Sequence, residues 1–425
     1  MPTWEFACGD TSGSTLFTQN TTTYLALAGR MRDVTDEASD QTKVFSTYTW
    51  ANLYVRVKTF SLDVNPALRS RVGGVNGNML TTLTGTGVFQ DTTNTDSLVS
   101  GNLINFVMTI AAGAGSMAIT IVGSTLQDTG TNATLAVASN SVNAPTVNFG
   151  LTRFNGIGGM VGGNTAILAT TESNVQYTIR RATTFTNLRV TILTNSIDAG
   201  TTVWRFRVNA ANVNQLVNIA AGATGAFEDT TNSDTTVAGD EVNHQVVTSG
   251  AAGSITPRLA QLAHISTGRE VVSASNDTVA NSADGFFGAE ADGFRTTAES
   301  DAQIAARAAF TAANLFVNVI THAATGGVDI FLRRNGANSA LTVNVPDNAT
   351  GFFEDTTNSV SVAVADTYNY FLDHGGGIGT ILVGAFGFAN GPTDAVTGGG
   401  RGYPGQMHNR RPRAGRLGQG FRVPR

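Results

Sequence analysis

The residue types that most often carry chemistry are sparse in this chain of 425 residues. Its five histidines do not show the H-x-x-x-H or H-E-x-x-H spacing of a zinc site, and Cys8 is the only cysteine. The sequence also lacks a G-x-S-x-G motif and a phosphate-binding P-loop. We therefore predict a protein with no enzymatic activity, no metal and no cofactor. A carboxylate pair that meets only in the folded chain is the catalytic arrangement left open.

One polar motif recurs and is as rich in side-chain oxygens as a cation site, at Phe89–Thr95, Phe227–Ser233 and Phe353–Ser359. In the third copy Val360 replaces the acidic residue that stands at Asp96 in the first, and the glycine and distal glutamate of a calcium-binding loop are missing. We expect a turn instead, in which Asp and Asn side chains hydrogen-bond the local backbone and the preceding phenylalanine anchors it in the core. The residues of this repeat-defining turn are Asp91, Asn94, Asp229, Asn232, Asp355 and Asn358.

Charged residues recur in the same register. An arginine is followed five residues later by asparagine, at Arg71/Asn76, Arg207/Asn212 and Arg333/Asn338. A glutamate precedes each of these pairs, at Glu37, Glu172 and Glu299. The arginine and glutamate could bind a ligand or form a structural ion pair, and their presence in all three copies favours the structural interpretation.

Two further landmarks complete a threefold internal repeat. An Asn-Leu pair opens a strand-like segment at Asn52, Asn187 and Asn314, and another asparagine follows the motif aspartate by 14 residues, at Asn105, Asn243 and Asn369. Between the landmarks apolar residues alternate with polar ones, as in Leu53-Tyr54-Val55-Arg56-Val57. This period of two, with clusters of turn residues about every 8 to 12 positions, predicts half-buried antiparallel strands.

The sequence thus predicts an all-β protein of three tandem antiparallel β-sandwich domains of jelly-roll type. Their limits are 1–127, 128–266 and 267–391, and the second has a longer opening segment, Asp128–Thr170, which we expect to add an edge strand or loop. The segment Ala302–Ala313 favours a helix by its alanine content. We predict a strand there, because the register of the repeat outweighs propensity.

The charge is unevenly distributed along the chain. No acidic residue follows Asp394, so the formal net charge of −5 divides into +7 for the tail and −12 for the rest. The tail, within 392–425, is rich in glycine and arginine, and we predict that it docks on a neighbouring protein chain rather than on nucleic acid. Its docking residues are Arg401, Arg410, Arg411, Arg413, Arg416, Arg422 and Arg425.

The beginning of the chain lacks the basic and apolar regions of a secretory signal, and no apolar stretch is long enough to span a membrane. We therefore expect synthesis in the cytoplasm and no partner in a membrane.

The motifs Asn-Leu-x-Val-x-Val, Phe206–Asn209 and Val237–Asp240 resemble the tandem jelly-roll modules of structural proteins in tailed-bacteriophage virions. The resemblance covers most of 20–127 and 170–390 and implies a fold, not active-site residues. It implies a virion protein that decorates or cements a capsid, bound to the major capsid protein or other virion proteins. Self-association, with a trimer favoured, is a further expectation. The alternative is a tail-fibre protein that recognises a host glycan through exposed aromatics, for which Tyr54, Phe316 and Trp204 are candidates, although each of them also fits a contact between domains.

Overall fold

The computed structural model describes residues 2–391 except 11–12, 14, 32–33, 130–132, 140–145, 159–167, 267, 275–277, 281–283, 290–294, 376 and 378. In these residues the chain is almost entirely β-structure, with two four-residue helices, α1 (Glu37–Asp40) and α2 (Glu299–Ala302), and a 3-10 turn at Glu172–Asn174. The arginine-rich tail predicted for 392–425, with all seven of its docking arginines, lies outside the described residues.

The strands fall into three consecutive sets, which we name the first, second and third units. The first unit contains β1 (Thr3–Gly9), β2 (Leu16–Thr18), β3 (Thr21–Leu25), β4 (Gly29–Arg30), β5 (Thr42–Lys43), β6 (Tyr48–Phe60), β7 (Ala67–Val72), β8 (Val75–Thr82), β9 (Gly87–Leu98), β10 (Leu103–Ile110) and β11 (Ser116–Asp128).

The second unit contains β12 (Ala133–Ser139), β13 (Val147–Asn148), β14 (Thr152–Asn155), β15 (Tyr177–Thr178), β16 (Thr183–Asn195), β17 (Thr201–Val208), β18 (Ala211–Ala220), β19 (Gly225–Thr236), β20 (Glu241–Val247) and β21 (Ser254–Ile265). The third contains β22 (Arg269–Ala274), β23 (Thr278–Ala280), β24 (Gly285–Phe287), β25 (Ile304–Ala305), β26 (Phe310–His322), β27 (Val328–Arg334), β28 (Ala337–Val345), β29 (Gly351–Val362), β30 (Thr367–Asp373) and β31 (Thr380–Asn390).

Each unit is a sandwich of two antiparallel sheets with one strand order. In the second unit the sheets run β12-β21-β16-β19 and β14-β20-β17-β18, and in the third β22-β31-β26-β29 and β24-β30-β27-β28. The first unit has β1-β11-β6-β9 and β3-β10-β7-β8, with β4 added in parallel beside β1. The first strand lies beside the last, and most connections cross between the sheets. This is the jelly-roll topology, so the predicted fold class is confirmed.

The central strands are buried on both faces. Leu53 and Val55 of β6 point into the core of the first unit, yet Tyr54, on the opposite face, is only 3% exposed. The last strands β11, β21 and β31 are buried along nearly their whole length. A sheet with one face in water would alternate between buried and exposed residues. In each unit the outer face of the sheet that contains the last strand must therefore be covered. Another unit of the same chain covers it.

Two local predictions are resolved by the strand pairing. The segment Ala302–Ala313 contributes β25 and the start of β26, so six of its twelve residues are strand and only Ala302, the last residue of α2, is helical in spite of the alanine content. The opening segment of the second unit supplies β12, an edge strand that pairs with β21. Strands β1 and β22 take the same place in the other units, so β12 belongs to the common fold. Residues 130–132, 140–145 and 159–167 of this opening segment lie outside the described residues, so the addition predicted there stays a prediction.

Candidate functional site

Each Asn-Leu landmark forms a bulge in a central strand. The asparagines have positive φ angles of 59°, 54° and 52°, at Asn52, Asn187 and Asn314. Asparagine tolerates this left-handed conformation better than most residues do. Ala51 pairs with Thr95 but Leu53 pairs with Asp91, so a single residue of β6 faces three residues of β9, and the other units show the same shift. The bulge makes room for the recurring polar motif.

The aspartate of that motif joins the two sheets of its sandwich. Asp91 Oδ1 accepts from the backbone N–H groups of Thr93 (3.1 Å) and Asn94 (3.0 Å), and Oδ2 accepts from that of Leu80 (2.8 Å) in β8. Strands β8 and β9 are edge strands of opposite sheets, so one carboxylate ties both together. The same contacts recur in the other units, at Asp229 and Asp355.

The motif lies inside a strand, where the sequence predicted a turn. Pairing of β6 with β9 resumes on both sides of the bulge, so β9 continues through the residues that the local hydrogen bonds bend. The asparagine of the predicted turn takes part, because Asn94 Nδ2 donates to Asp91 Oδ2 at 2.9 Å, and Asn232 and Asn358 do the same in their units. The preceding phenylalanines pack half-buried against the cores, at Phe89, Phe227 and Phe353.

These hydrogen bonds occupy the carboxylate oxygens that a bound cation would need. Burial alone would raise the pKa of Asp91, but donors on Leu80, Asn94 and Thr93 outweigh it and hold the pKa well below its usual range. The pKa values of Asp229 and Asp355 are lowered in the same way. A carboxylate has about four lone-pair positions, and the Thr93 and Asn94 side chains add to the three backbone donors on Asp91. The oxygens are therefore occupied by the protein itself.

A second link between the sheets occurs in only two units. Asp96 accepts from Ser70 Oγ (2.5 Å) and from the backbone N–H of Asn78 (2.7 Å), and Asp234 accepts from the backbone N–H of Asn214 at 3.0 Å. In the third unit Val360 takes this place and packs against the core. The loss of the acid thus replaces a polar link by apolar packing.

The recurring arginine and glutamate form an ion pair in every unit. Arg71 Nε and Nη2 lie 2.9 and 2.8 Å from the two oxygens of Glu37, and Nη1 donates to Asn76 Oδ1 at 2.9 Å. The same arrangement joins Arg207 to Glu172 and Asn212, and Arg333 to Glu299 and Asn338. Every arginine also donates to the carbonyl of the hairpin that follows it, at Gly74, Ala210 and Gly336. The pair therefore ties the segment that begins at the recurring glutamate, which we name the glutamate segment, to its own sandwich.

These glutamate segments carry the contacts between units. In the first unit the segment includes α1 and β5. It lies on the outer face of the second unit's sheet β12-β21-β16-β19. Arg189 of β16 donates to the Gln41 carbonyl at 2.9 Å, and Arg258 of β21 pairs with Asp40 at 2.7 Å. Lys43 pairs with Glu228 of β19 at 2.6 Å.

The second unit contacts the third in the corresponding way. The ring of Phe316 in β26 meets the edge of the Tyr177 ring at a centroid distance of 4.8 Å. Asn318 Nδ2 donates to the carbonyl of Ser173 at 2.9 Å, and Arg180 pairs with Glu354 of β29.

The third unit contacts the first, which closes the series. The Arg307 guanidinium lies 4.8 Å from the centroid of the Tyr54 ring and donates to Gln90 Oε1 at 2.7 Å. Lys58 of β6 pairs with Asp301 of α2 at 2.9 Å. Tyr54, Arg189 and Phe316 hold the same repeat position, two residues after the bulge asparagine, as do Gln90, Glu228 and Glu354 just before the motif aspartate. Equivalent surfaces therefore meet head to tail, first on second, second on third and third on first.

A glutamate on the first strand of a unit makes contacts in two of the three interfaces. Glu5 of β1 accepts from the backbone N–H groups of Arg307 and Ala308 and from the Tyr368 hydroxyl, the last at 2.8 Å. Glu270 of β22 accepts from the backbone N–H of Arg180 at 3.3 Å. It also accepts from Tyr177 Oη and pairs with Arg181 at 3.2 Å.

The remaining interface uses apolar packing at the equivalent position. By strand register the counterpart of Glu5 and Glu270 in β12 is Leu135, which belongs to the core cluster of the first unit. Phe45 of the first unit packs against that cluster. A glutamate and a backbone donor in two interfaces thus correspond to an apolar contact in the third.

The sequence did not single out Glu5, Glu270 or Gln41 as contact residues. A signal was available for Gln41, because glutamine stands four residues after the recurring glutamate in every copy, at Gln41, Gln176 and Gln303. The three aromatics considered as exposed glycan contacts are all buried. Tyr54 and Phe316 lie at interfaces between units, and Trp204 lies in the core of the second unit.

The described residues contain no cluster of three or more His, Cys, Asp or Glu side chains that could hold a metal ion. The helices in the same part of the chain are too short to cross a membrane.

Comparison with known proteins adds little. No family model matches the sequence, and no curated protein matches it. Among solved structures, one described as the triple jelly roll fold and turret assembly of an archaeal virus is similar over 91% of both chains, with 11% identity and a TM-score of 0.15. A second, from Sulfolobus turreted icosahedral virus, is 10% identical over 92% of this chain and 97% of that chain, with a TM-score of 0.14. At these TM-scores the likeness carries no conclusion for this protein.

Proposed function

We propose that this protein is a structural component of a virus particle, in which it decorates or stabilises the capsid. The observation that carries the proposal is the head-to-tail joining of three jelly-roll sandwiches, with buried polar and aromatic contacts at each interface. Such a molecule is a rigid block that requires no chemical step to work. The link from this architecture to a virion rests on the resemblance of its repeat motifs to jelly-roll modules of tailed-phage structural proteins.

The charge distribution supplies a means of attachment. The chain carries +7 after Asp394 and −12 up to and including it, so the arginines of the tail are attracted to acidic protein surfaces such as that of a neighbouring copy. We propose the major capsid protein or another virion protein as the partner of this tail.

The glycan-binding fibre protein is less well supported. Its three candidate aromatics are buried, so none of them is offered to a sugar at the surface. The proposed function therefore stays with the capsid.

The test compares particles of the virus that encodes this protein, purified and washed in high salt, with the full chain and with a variant that ends at Asn390. A second pair of variants replaces the seven tail arginines by lysine or by glutamine. We expect the full chain to remain on heads at fixed stoichiometry and the lysine variant to bind heads more weakly. The truncated and glutamine variants should be released. Detection on tails alone, or binding to host cells with bare heads, would contradict the capsid role.

A further inference from the structure

We propose that one copy of this chain is a complete ring, closed by contact of its third unit with its first, and that this closing interface keeps the protein compact and monomeric. The polar contacts of the closing interface include Glu5, Tyr54, Lys58 and Gln90 of the first unit and Asp301, Arg307, Ala308 and Tyr368 of the third. The proposal concerns the free protein and does not rest on a role in a virion.

The first step is that the three interfaces are equivalent. Each places the segment after a recurring glutamate on the sheet of another unit that contains β6, β16 or β26. Each also involves the residue two positions after the bulge asparagine, which is Tyr54, Arg189 or Phe316. Interfaces of this heterologous kind, in which two different surfaces meet, either close into a ring or continue into an open chain of subunits. Here the third unit returns to the first, so the series closes within one polypeptide.

The second step is the special position of the closing interface. Strand β11 ends at Asp128 and β12 begins at Ala133, and β21 ends at Ile265 and β22 begins at Arg269, so short connections hold neighbouring units together. The closing interface joins residues such as Glu5 and Ala308, which are 303 positions apart in sequence. Non-covalent contacts alone hold this interface, whereas a short covalent connection keeps each of the other two at high effective concentration.

The third step is that the closing interface buries the surfaces that the first and third units would otherwise expose. The Glu5 carboxylate is buried and accepts hydrogen bonds from the third unit, and Ala7, Tyr54 and Ile121 of the first unit join the core cluster of the third. The surface that would bind a second copy in a trimer of chains is thus occupied by the same chain. This replaces the self-association expected from the sequence by a trimer-like arrangement of units in a monomer.

The experiment uses the full chain and two matched variants. Glu5→Ala removes the acceptor of the closing interface, and Glu270→Ala removes its counterpart between the second and third units, which are covalently joined. Sedimentation and small-angle X-ray scattering report mass and size, and hydrogen exchange reports the amides of Ala308 and Arg180, which donate to the two carboxylates.

We expect the full chain to sediment as a monomer of 44.2 kDa at all concentrations tested. Glu5→Ala should become larger at low concentration and self-associate as the concentration rises, because the opened surfaces can then pair between copies, with exchange at Ala308 about tenfold faster or more. Glu270→Ala should accelerate exchange at Arg180 while its size and the exchange at Ala308 stay close to those of the unmodified chain.

Because Glu5→Ala could fail to fold, Tyr368→Phe is the milder second variant, since it removes only the hydroxyl that donates to Glu5. It should accelerate exchange at Ala308 by a smaller factor. A stable oligomer of the unmodified chain, or unchanged exchange at Ala308 in both closing-interface variants, would overturn the proposal. Equal expansion of the Glu5 and Glu270 variants would also overturn it, because the closing interface would then have no special role.

Discussion

Arg333 and Glu299 form a two-bond ion pair in which Nε lies 2.6 Å from Oε1 and Nη2 lies 3.1 Å from Oε2. The same geometry occurs in all three units, so it belongs to the repeat and not to a ligand site of one unit. Its effect is to fix α2 against the strands of its own unit, and α2 in turn contacts the first unit through Asp301. The ion pair therefore supports both a sandwich and an interface.

Replacing Arg333 by alanine should lower the free energy of unfolding by about 2 kcal/mol, because several charge-assisted hydrogen bonds are lost and Glu299 remains partly buried without its partner. Denaturant unfolding at neutral pH measures this change. Arg334→Ala is the matched control, since the neighbouring side chain is 42% exposed and pairs with Asp366 at 3.4 Å. It should cost less than about 1 kcal/mol. Equal losses in the two variants would show that the Glu299 pair has no special weight.

Replacing Asp229 by alanine should cost about 2 kcal/mol or more, because the backbone N–H groups of Leu216, Thr231 and Asn232 lose their acceptor. The loss should be local at first, with faster hydrogen exchange at Leu216 than at amides elsewhere in β18. Thr230→Ala, at an exposed position in the same motif, is the control and should change stability by less than about 0.5 kcal/mol. Unchanged exchange at Leu216 in the aspartate variant would contradict the proposed link between sheets.

The sequence predicted the repeated units and their strands because those depend on short-range patterns. Alternation at Leu53 and Val55 and the fixed spacing from Asn52 to Asp91 are both legible along one chain segment. The pairing of Arg71 with Glu37 was open to two interpretations, and the structural one agrees with the geometry. The polar motif was placed in a turn because its residue types favour turns, whereas pairing with β6 holds it in a strand.

The interfaces between units could not be predicted in the same way. Glu5 meets Ala308 across 303 residues, and no local pattern connects them. The equivalent position is leucine in the second unit, so the repeat does not mark it either. Tyr54 alternates with core residues along β6, which left open an exposed aromatic or a contact between domains, and the structure shows that another unit covers it.

The bulge asparagines offer a test of backbone strain. Asn314 has a φ of 52°, so Asn314→Gly should change the free energy of unfolding by less than about 1 kcal/mol, because glycine adopts this conformation freely. Asn314→Val should cost more than the glycine variant by about 1–2 kcal/mol, because a β-branched side chain resists positive φ. Thermal unfolding of both variants measures the difference. If valine is tolerated as well as glycine, the bulge does not require the left-handed conformation.

Acid should weaken the second unit first, because burial lowers the pKa of His244 to about 3 and that of His264 to about 3. Neighbouring Arg269 and Arg181 lower the latter further. Well above a pH of about 6.5 both histidines are neutral in the folded and unfolded chain and contribute no pH dependence. As the pH falls below that value the unfolded chain binds protons that the folded chain does not, so stability decreases until the pH reaches the folded pKa.

Hydrogen exchange of the second unit between neutral and acid pH should show this loss. His244→Phe should reduce the slope of stability against pH by roughly half, since two histidines contribute. The rings of Trp204 and Phe206 surround His244 and suit an aromatic replacement. A slope that is the same with and without His244 would mean that its burial does not control the acid response.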